Sequence, residues 1–180
     1  MSARPVLVGL DVGSDADVRA QRHATAALRW GADRARLTGV PLAVATIWSY
    51  PHVPPAVRGR PLAGFPSAEE RREQVRTALA DVTAAAGLTP SWQPGGAVRL
   101  HALRGREART LVADASLLVL PGSREDPDTG FLTGDVRRQF AAACTCPVVL
   151  VSARAGGDHV VDLPRHFSAE LTARGHRVAC

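Results

Sequence analysis

The loop from Gly122 to Asp135 gathers the residues most able to do chemistry. It follows an apolar run, Ser116 to Pro121, and precedes a helical-looking segment from Val136 to Cys144. A glycine-bearing loop between a strand and a helix can hold a phosphate on backbone N–H groups and on the helix N-terminus. Gly122, Ser123, Arg124 and Gly134 fit that role. Yet the loop also carries four carboxylates, Glu125, Asp126, Asp128 and Asp135, which would repel a phosphate. A second cluster, Asp11-Val12-Gly13-Ser14-Asp15, follows the first apolar run. The plainer account of both loops is glycine for turn geometry and aspartate for helix capping. Asp135 would then steady the following helix through its dipole.

Other chemistry finds little support. There is no Gly-x-Ser-x-Gly elbow, no His-Glu-x-x-His and no Walker loop. The histidines (His23, His52, His101, His159, His166 and His176) are dispersed, and His101, inside a strand-like run, reads as structural. Asp126-x-Asp128 with Glu125 lacks the remaining oxygen ligands of a calcium loop and reads as a solvated acidic turn. Cys144 and Cys146 flank the end of the last long helix without a base partner in sequence, so they read as packing residues. No catalytic residues and no metal site are expected, and the chain is not expected to be an enzyme.

The elements that must position the two loops follow from patterning. Apolar runs bounded by turn signals, at Pro5–Asp11, Pro41–Trp48, Ser116–Pro121 and Pro147–Ser152, read as buried parallel strands. The alternating run Ala97–Leu103 reads as another. A helix is expected from about Asp17 to Leu37, closed by Thr38-Gly39. A second opens on the capping box Ser67-x-x-Glu70, carries Val75, Leu79, Val82 and Ala86 on one face, and closes at Gly87. Residues 49–66, with five prolines, read as loop. Helices between all five strands predict an α/β fold, a three-layer α/β/α sandwich on a five-stranded parallel sheet in the order 3-2-1-4-5. Ligands in such sheets bind at the carboxyl ends of strands where the order reverses, here between the loops after strands 1 and 4.

Composition sets the class. A chain of 180 residues, 46% apolar, fits one globular domain, read as 1–152, with a C-terminal extension, 153–180, that contains a possible helix from about Pro164 to Arg174. No apolar stretch is long enough to span a membrane. The opening residues run directly into a strand, leaving no room for a signal peptide. Three sparse cysteines fit a reducing cytoplasm, and Cys144-x-Cys146 sits too close for a normal disulfide loop. Net charge is +5, with all 22 basic residues arginine; these are interleaved with glutamates, as at Glu69–Arg76, and aromatic residues are few, which disfavours nucleic acid.

Over roughly Pro5 to Ser152 the chain resembles a single-domain universal stress protein, UspA-like, with the adenine nucleotide alpha hydrolase-like fold. Val-Leu-Val-Gly-Leu-Asp11-Val-Gly-Ser14, Ala27-Leu-Arg-Trp30, Leu-Ala-Val-Ala-Thr-Ile-Trp48 and Leu117 to Arg124 with Cys146 to Val151 carry the likeness. The resemblance implies G-x2-G-x9-G-[ST] after the fourth strand in ATP-binding members, with the aspartate ending the first strand helping to hold adenosine. Here Gly122 matches the first glycine, but Glu125 occupies the second glycine's place and Asp135 that of the serine or threonine. Only eleven residues separate Gly122 from Gly134, where the pattern has twelve. A side chain at the second glycine blocks backbone approach, and an ionised aspartate cannot donate a hydrogen bond. The expectation is a non-catalytic module with a degenerate nucleotide site at Asp11, Gly13, Ser14, Gly122, Ser123, Arg124, Gly134 and Asp135. It would take no cofactor, the alternative being ATP with Mg²⁺ in a modified pocket. The resemblance also implies a homodimer, expected through the edge strand 147–152, the alternative being that the tail after Ala153 covers that edge or exchanges between subunits; an unidentified protein partner is expected besides.

Overall fold

The computed structural model describes residues 3–12, 18–48, 66–93, 96–122, 135–154 and 157–163. Its elements run β1 (Val6–Leu10), α1 (Val18–Thr38), β2 (Leu42–Ile47), α2 (Ala68–Ala85), β3 (Val98–Leu103), α3 (Gly105–Ala113), β4 (Leu117–Pro121), α4 (Asp135–Ala143), β5 (Val148–Arg154) and β6 (Gly157–Leu163). All five residues of β1 and all six of β2 are buried, as apolar runs covered on both faces must be.

The helix boundaries have local causes. Ser67 caps α2: its Oγ accepts from the Glu70 N–H at 3.1 Å, while the Glu70 carboxylate accepts from the Ser67 N–H at 2.6 Å. Helices α1 and α2 end alike. Gly39 and Gly87 take φ of +68° and +83°, where a Cβ would be strained. Behind them Val40 N–H reaches back to the Ala35 carbonyl and Leu88 N–H to that of Thr83, and both apolar side chains pack on the core. That is a Schellman ending with its hydrophobic contact. Arg4 closes α3 instead, donating to the carbonyls of Ala113 and Asp114.

The sheet order is β3-β2-β1-β4-β5-β6, with the first five strands parallel. Side chains alternate across it. Val6, Val8, Leu10, Val44 and Val119 face α1 and α2; Leu7, Ala43, Ala45, Leu118 and Leu120 face α3 and α4. The helices approach closely. A Cβ on Gly31 of α1 would lie 2.6 Å from a methyl of Val8, and one on Gly9 would lie 2.8 Å from Leu120 and from the ring of Phe140.

The expected order 3-2-1-4-5 holds, but the sheet has a sixth strand that the sequence reading did not include. Residues 157–163 fold back antiparallel on β5, pairing from Arg154↔Gly157 to Val148↔Leu163. Of the two expectations for 147–152, an open edge or one covered by the tail after Ala153, the structure corrects the first: this chain's own extension covers the edge. Antiparallel neighbours need only a two-residue connection, here 155–156, whereas a parallel strand would need a crossover. The expected loop over 49–66 and the tail helix from Pro164 lie outside the described residues, apart from Pro66, which precedes the cap of α2.

Two outcomes follow. Gly31→Ala gains roughly 1 kcal/mol of helix propensity but forces overpacking against a stiff Val8 that costs about 1–3 kcal/mol. A net loss is expected in urea unfolding; a gain would show that α1 stands off the sheet. Ending the chain after Ser152 bares the β5 edge, so light scattering should report larger aggregates than for the intact chain, with a lower Tm.

Candidate functional site

The chain leaves β1 through α1 and leaves β4 through α4, on opposite faces of the sheet. Strand order thus reverses between β1 and β4, where a ligand crevice is expected. The hydrogen-bond ladder shows the same opening. β1 pairs β4 only from Val6↔Leu117 to Val8↔Val119, although each strand runs on for two more residues. On the outer sides pairing persists, β1 with β2 to Leu10↔Thr46 and β4 with β5 to Pro121↔Val151.

Two of the expected site residues stand at the mouth of this gap. Asp11 follows β1 and is exposed, and Gly122 follows β4 and is buried. Gly122 is held by the sheet: its N–H donates to the Val151 carbonyl at 2.8 Å. A Cβ there would lie 3.4 Å from both Leu150 Cβ and Ser152 Oγ. A side chain would thus meet only ordinary contacts on β5, while the Gly122 N–H is already engaged rather than offered to a ligand. Asp135 is the first residue of α4. Gly13, Ser14, Ser123, Arg124 and Gly134, with the acidic turn Glu125–Asp128, lie outside the described residues.

A cavity of about 760 Å³ opens beside Asp11, between the first half of α1 and the second half of α2. Asp11 and Val12 line it with Arg22, Arg29, Asp81 and Ala153; Gly122 does not. The structure therefore brings Asp11 to a cavity and leaves Gly122 out of it. The sequence reading missed the two arginines, yet their spacing was a signal: Val18, Arg22, Thr25 and Arg29 recur every three to four residues and form one stripe of α1. That stripe reads as an ordinary solvated face until α2 is set opposite. Arg29 also ties the helices together, its Nε donating to the Ala86 carbonyl at 3.4 Å.

His23 anchors the rim. Its Nδ1 accepts the Ala153 N–H at 3.0 Å, linking α1 to the end of β5, a contact that requires Nδ1 unprotonated. His101 sits apart from the cavity on β3. Burial, then the nearby Arg99 charge, hold its pKa below the usual histidine value. Among the described residues no group of three or more His, Cys, Asp or Glu could hold a metal ion, and no helix is long and apolar enough to cross a membrane.

The universal stress protein family model matches residues 3–152, from before β1 into β5. The chain belongs to the universal stress protein family. Solved structures are similar to it in fold. A universal stress protein from Archaeoglobus fulgidus is 25% identical over 81% of this chain and 96% of that one, with a TM-score of 0.42. A structure of the Archaeoglobus fulgidus protein in complex with dAMP is 23% identical over 83% and 98%, with a TM-score of 0.43. A putative universal stress protein from Pseudomonas aeruginosa is 16% identical over 98% of this chain but 53% of that one, with a TM-score of 0.52. This chain spans about half the length of that last protein. No curated protein matches it. In this family member, strand β6 lies beyond the matched residues.

The depressed pKa of His101 carries a sign. Between the lowered folded value and the unfolded value near 6.5, the unfolded chain binds more protons, so stability falls as pH drops through that window. His101→Gln should flatten the dependence between about pH 7.5 and 5 in urea unfolding, relative to the native chain. An identical pH slope in both proteins would place the imidazole in solvent.

Proposed function

We propose that this stress-protein module acts by binding rather than by catalysis, in the cytoplasm, and that its nucleotide position is degenerate. The observation that carries the reading is the residue type at the start of α4. Helix α4 opens on Asp135, in the place of the serine or threonine that the family's ATP-binding pattern implies. A helix terminus attracts an anion by about 0.3–1 kcal/mol. A carboxylate about 4 Å from a phosphate repels it by ~1 kcal/mol in water and ~4 kcal/mol at an effective dielectric of 20. The repulsion wins in any partly dry crevice. The engaged N–H of Gly122 removes a further donor from the cradle.

Association with a second copy and with a protein partner belongs to the same reading. With β6 seated on β5, pairing of two copies through 147–152 requires that β6 exchange between them.

A second reading is favoured by the cavity at Asp11. Its volume, about 760 Å³, suits a small ligand, and Arg22 and Arg29 offer positive charge. An adenine nucleotide with Mg²⁺ bridging phosphate and carboxylates would use it.

Release of bound nucleotide on denaturing the purified protein, followed by ATP titration with and without Mg²⁺, separates the two. No nucleotide and no saturation below about 1 mM are expected; micromolar binding would establish the second reading instead. Asp135→Ser combined with Glu125→Gly should raise ATP affinity about tenfold or more, the equivalent of 1.4 kcal/mol. No gain would make the shortened loop, rather than charge, the obstacle.

A further inference from the structure

The turn between α4 and β5 lies at the amino ends of the strands, opposite the crevice. It brings two thiols together with only Thr145 between them. Cys144 is buried and Cys146 half-buried, and their sulfurs stand 3.1 Å apart. The Cys144 thiol also donates to the Cys146 carbonyl at 3.2 Å. We propose that Cys144 and Cys146 form an oxidation site that hydrogen peroxide converts reversibly into an intramolecular disulfide.

Geometry supplies the first argument. Bond formation needs the sulfurs to close from 3.1 Å to about 2.05 Å, a movement of roughly 1 Å that side-chain rotation can provide. The pair differs from ordinary packed cysteines because each sulfur has the other as its hydrogen-bond partner.

Electrostatics gives the two sulfurs different roles. The hydrogen bond from Cys144 lowers the Cys146 pKa, with further lowering from main-chain hydrogen bonds at Cys146 and Leu118 and from the Arg4 guanidinium, against burial. The same hydrogen bond, then burial, push the Cys144 thiol up. Cys146 is thus the thiolate nucleophile, reachable because it is only half-buried, and Cys144 the resolving thiol.

The step balances. The Cys146 sulfur attacks one peroxide oxygen, the O–O bond breaks, and Cys146 sulfenic acid forms with release of water. The Cys144 sulfur then attacks the sulfenic sulfur, its proton leaves with the departing hydroxyl as a second water, and the S–S bond forms. Two thiols lose two electrons to one peroxide. A ring closed over one intervening residue is strained, and strained disulfides are the readily reduced ones, so the change reverses with a small dithiol.

The test uses the full chain carrying Cys180→Ser, so that only this pair remains. One equivalent of peroxide should remove both free thiols, lower the intact mass by two hydrogens, leave the subunit mass otherwise unchanged, and be reversed by dithiothreitol. Cys144→Ser should stop at a Cys146 sulfenic acid that dimedone traps, and Cys146→Ser should slow thiol loss roughly tenfold or more. Two surviving thiols, a product heavier by oxygen atoms without a disulfide, a disulfide between chains, or thiol loss undiminished by Cys146→Ser would each overturn the proposal. The first reading uses the Cys180→Ser chain alone, so a misfolded variant cannot mask the answer. Nucleotide binding is a separate measurement at the other end of the sheet.

Discussion

Strand β1 carries no side chain at Gly9, and Phe140 of α4 and Leu120 of β4 occupy that space; on its other face Val8 fills the space left by Gly31 of α1. Two helices thus close on one strand from both sides within the reach of a methyl group. Every residue of β1 is buried as a result. This strand has a neighbour on each side, β2 and β4. The order reverses beside β1 because the chain continues to β2 on one side while β4 pairs on the other, and the crevice falls there. The closely packed strand thus borders the place where a ligand could approach.

The crevice is built from what its rims lack. The β1–β4 ladder ends at Val8↔Val119, while Gly122 continues the β4–β5 ladder by donating to Val151. The main chain after β4 is drawn towards β5 and away from β1. This opens the gap, and it also spends the glycine N–H that a phosphate would use. Asp11 then faces a cavity between α1 and α2 that, among the described residues, Gly122 does not line. Asp11 thus lines the cavity while Gly122 is committed to β5, a feature that motif spacing does not encode.

Much of the fold was legible because local and tertiary demands agree. The apolar runs at Val6–Leu10, Leu42–Ile47 and Leu117–Pro121 have no polar face to place in water, and the Ser67–Glu70 box and the glycines at 39 and 87 mark helix ends by their chemistry. Strand β6 was not legible. Its sequence, Gly-Asp-His-Val-Val-Asp-Leu, holds two adjacent valines amid polar residues. Val161 packs against the core while Val160 is 38% exposed, the split of an antiparallel edge strand. Seven residues of that pattern do not rise above loop composition until β5 lies beside them. The cavity was hidden for a similar reason, since Arg22 and Arg29 gain meaning only when α2 faces them. The cysteine pair was visible as spacing alone; the local turn conformation that brings the sulfurs to 3.1 Å is not written in that spacing.

The added hairpin changes what the family core can do at its border. Residues 3–152 match the family, and a sheet ending there would present Val148 to Val151 with unpaired N–H and C=O groups along one side. In this chain those groups are paired from Val148↔Leu163 to Arg154↔Gly157. The outer edge passes to β6. The hairpin therefore pairs the border of the family core within one chain, and an exchange of β6 between two copies would conserve the same backbone hydrogen bonds.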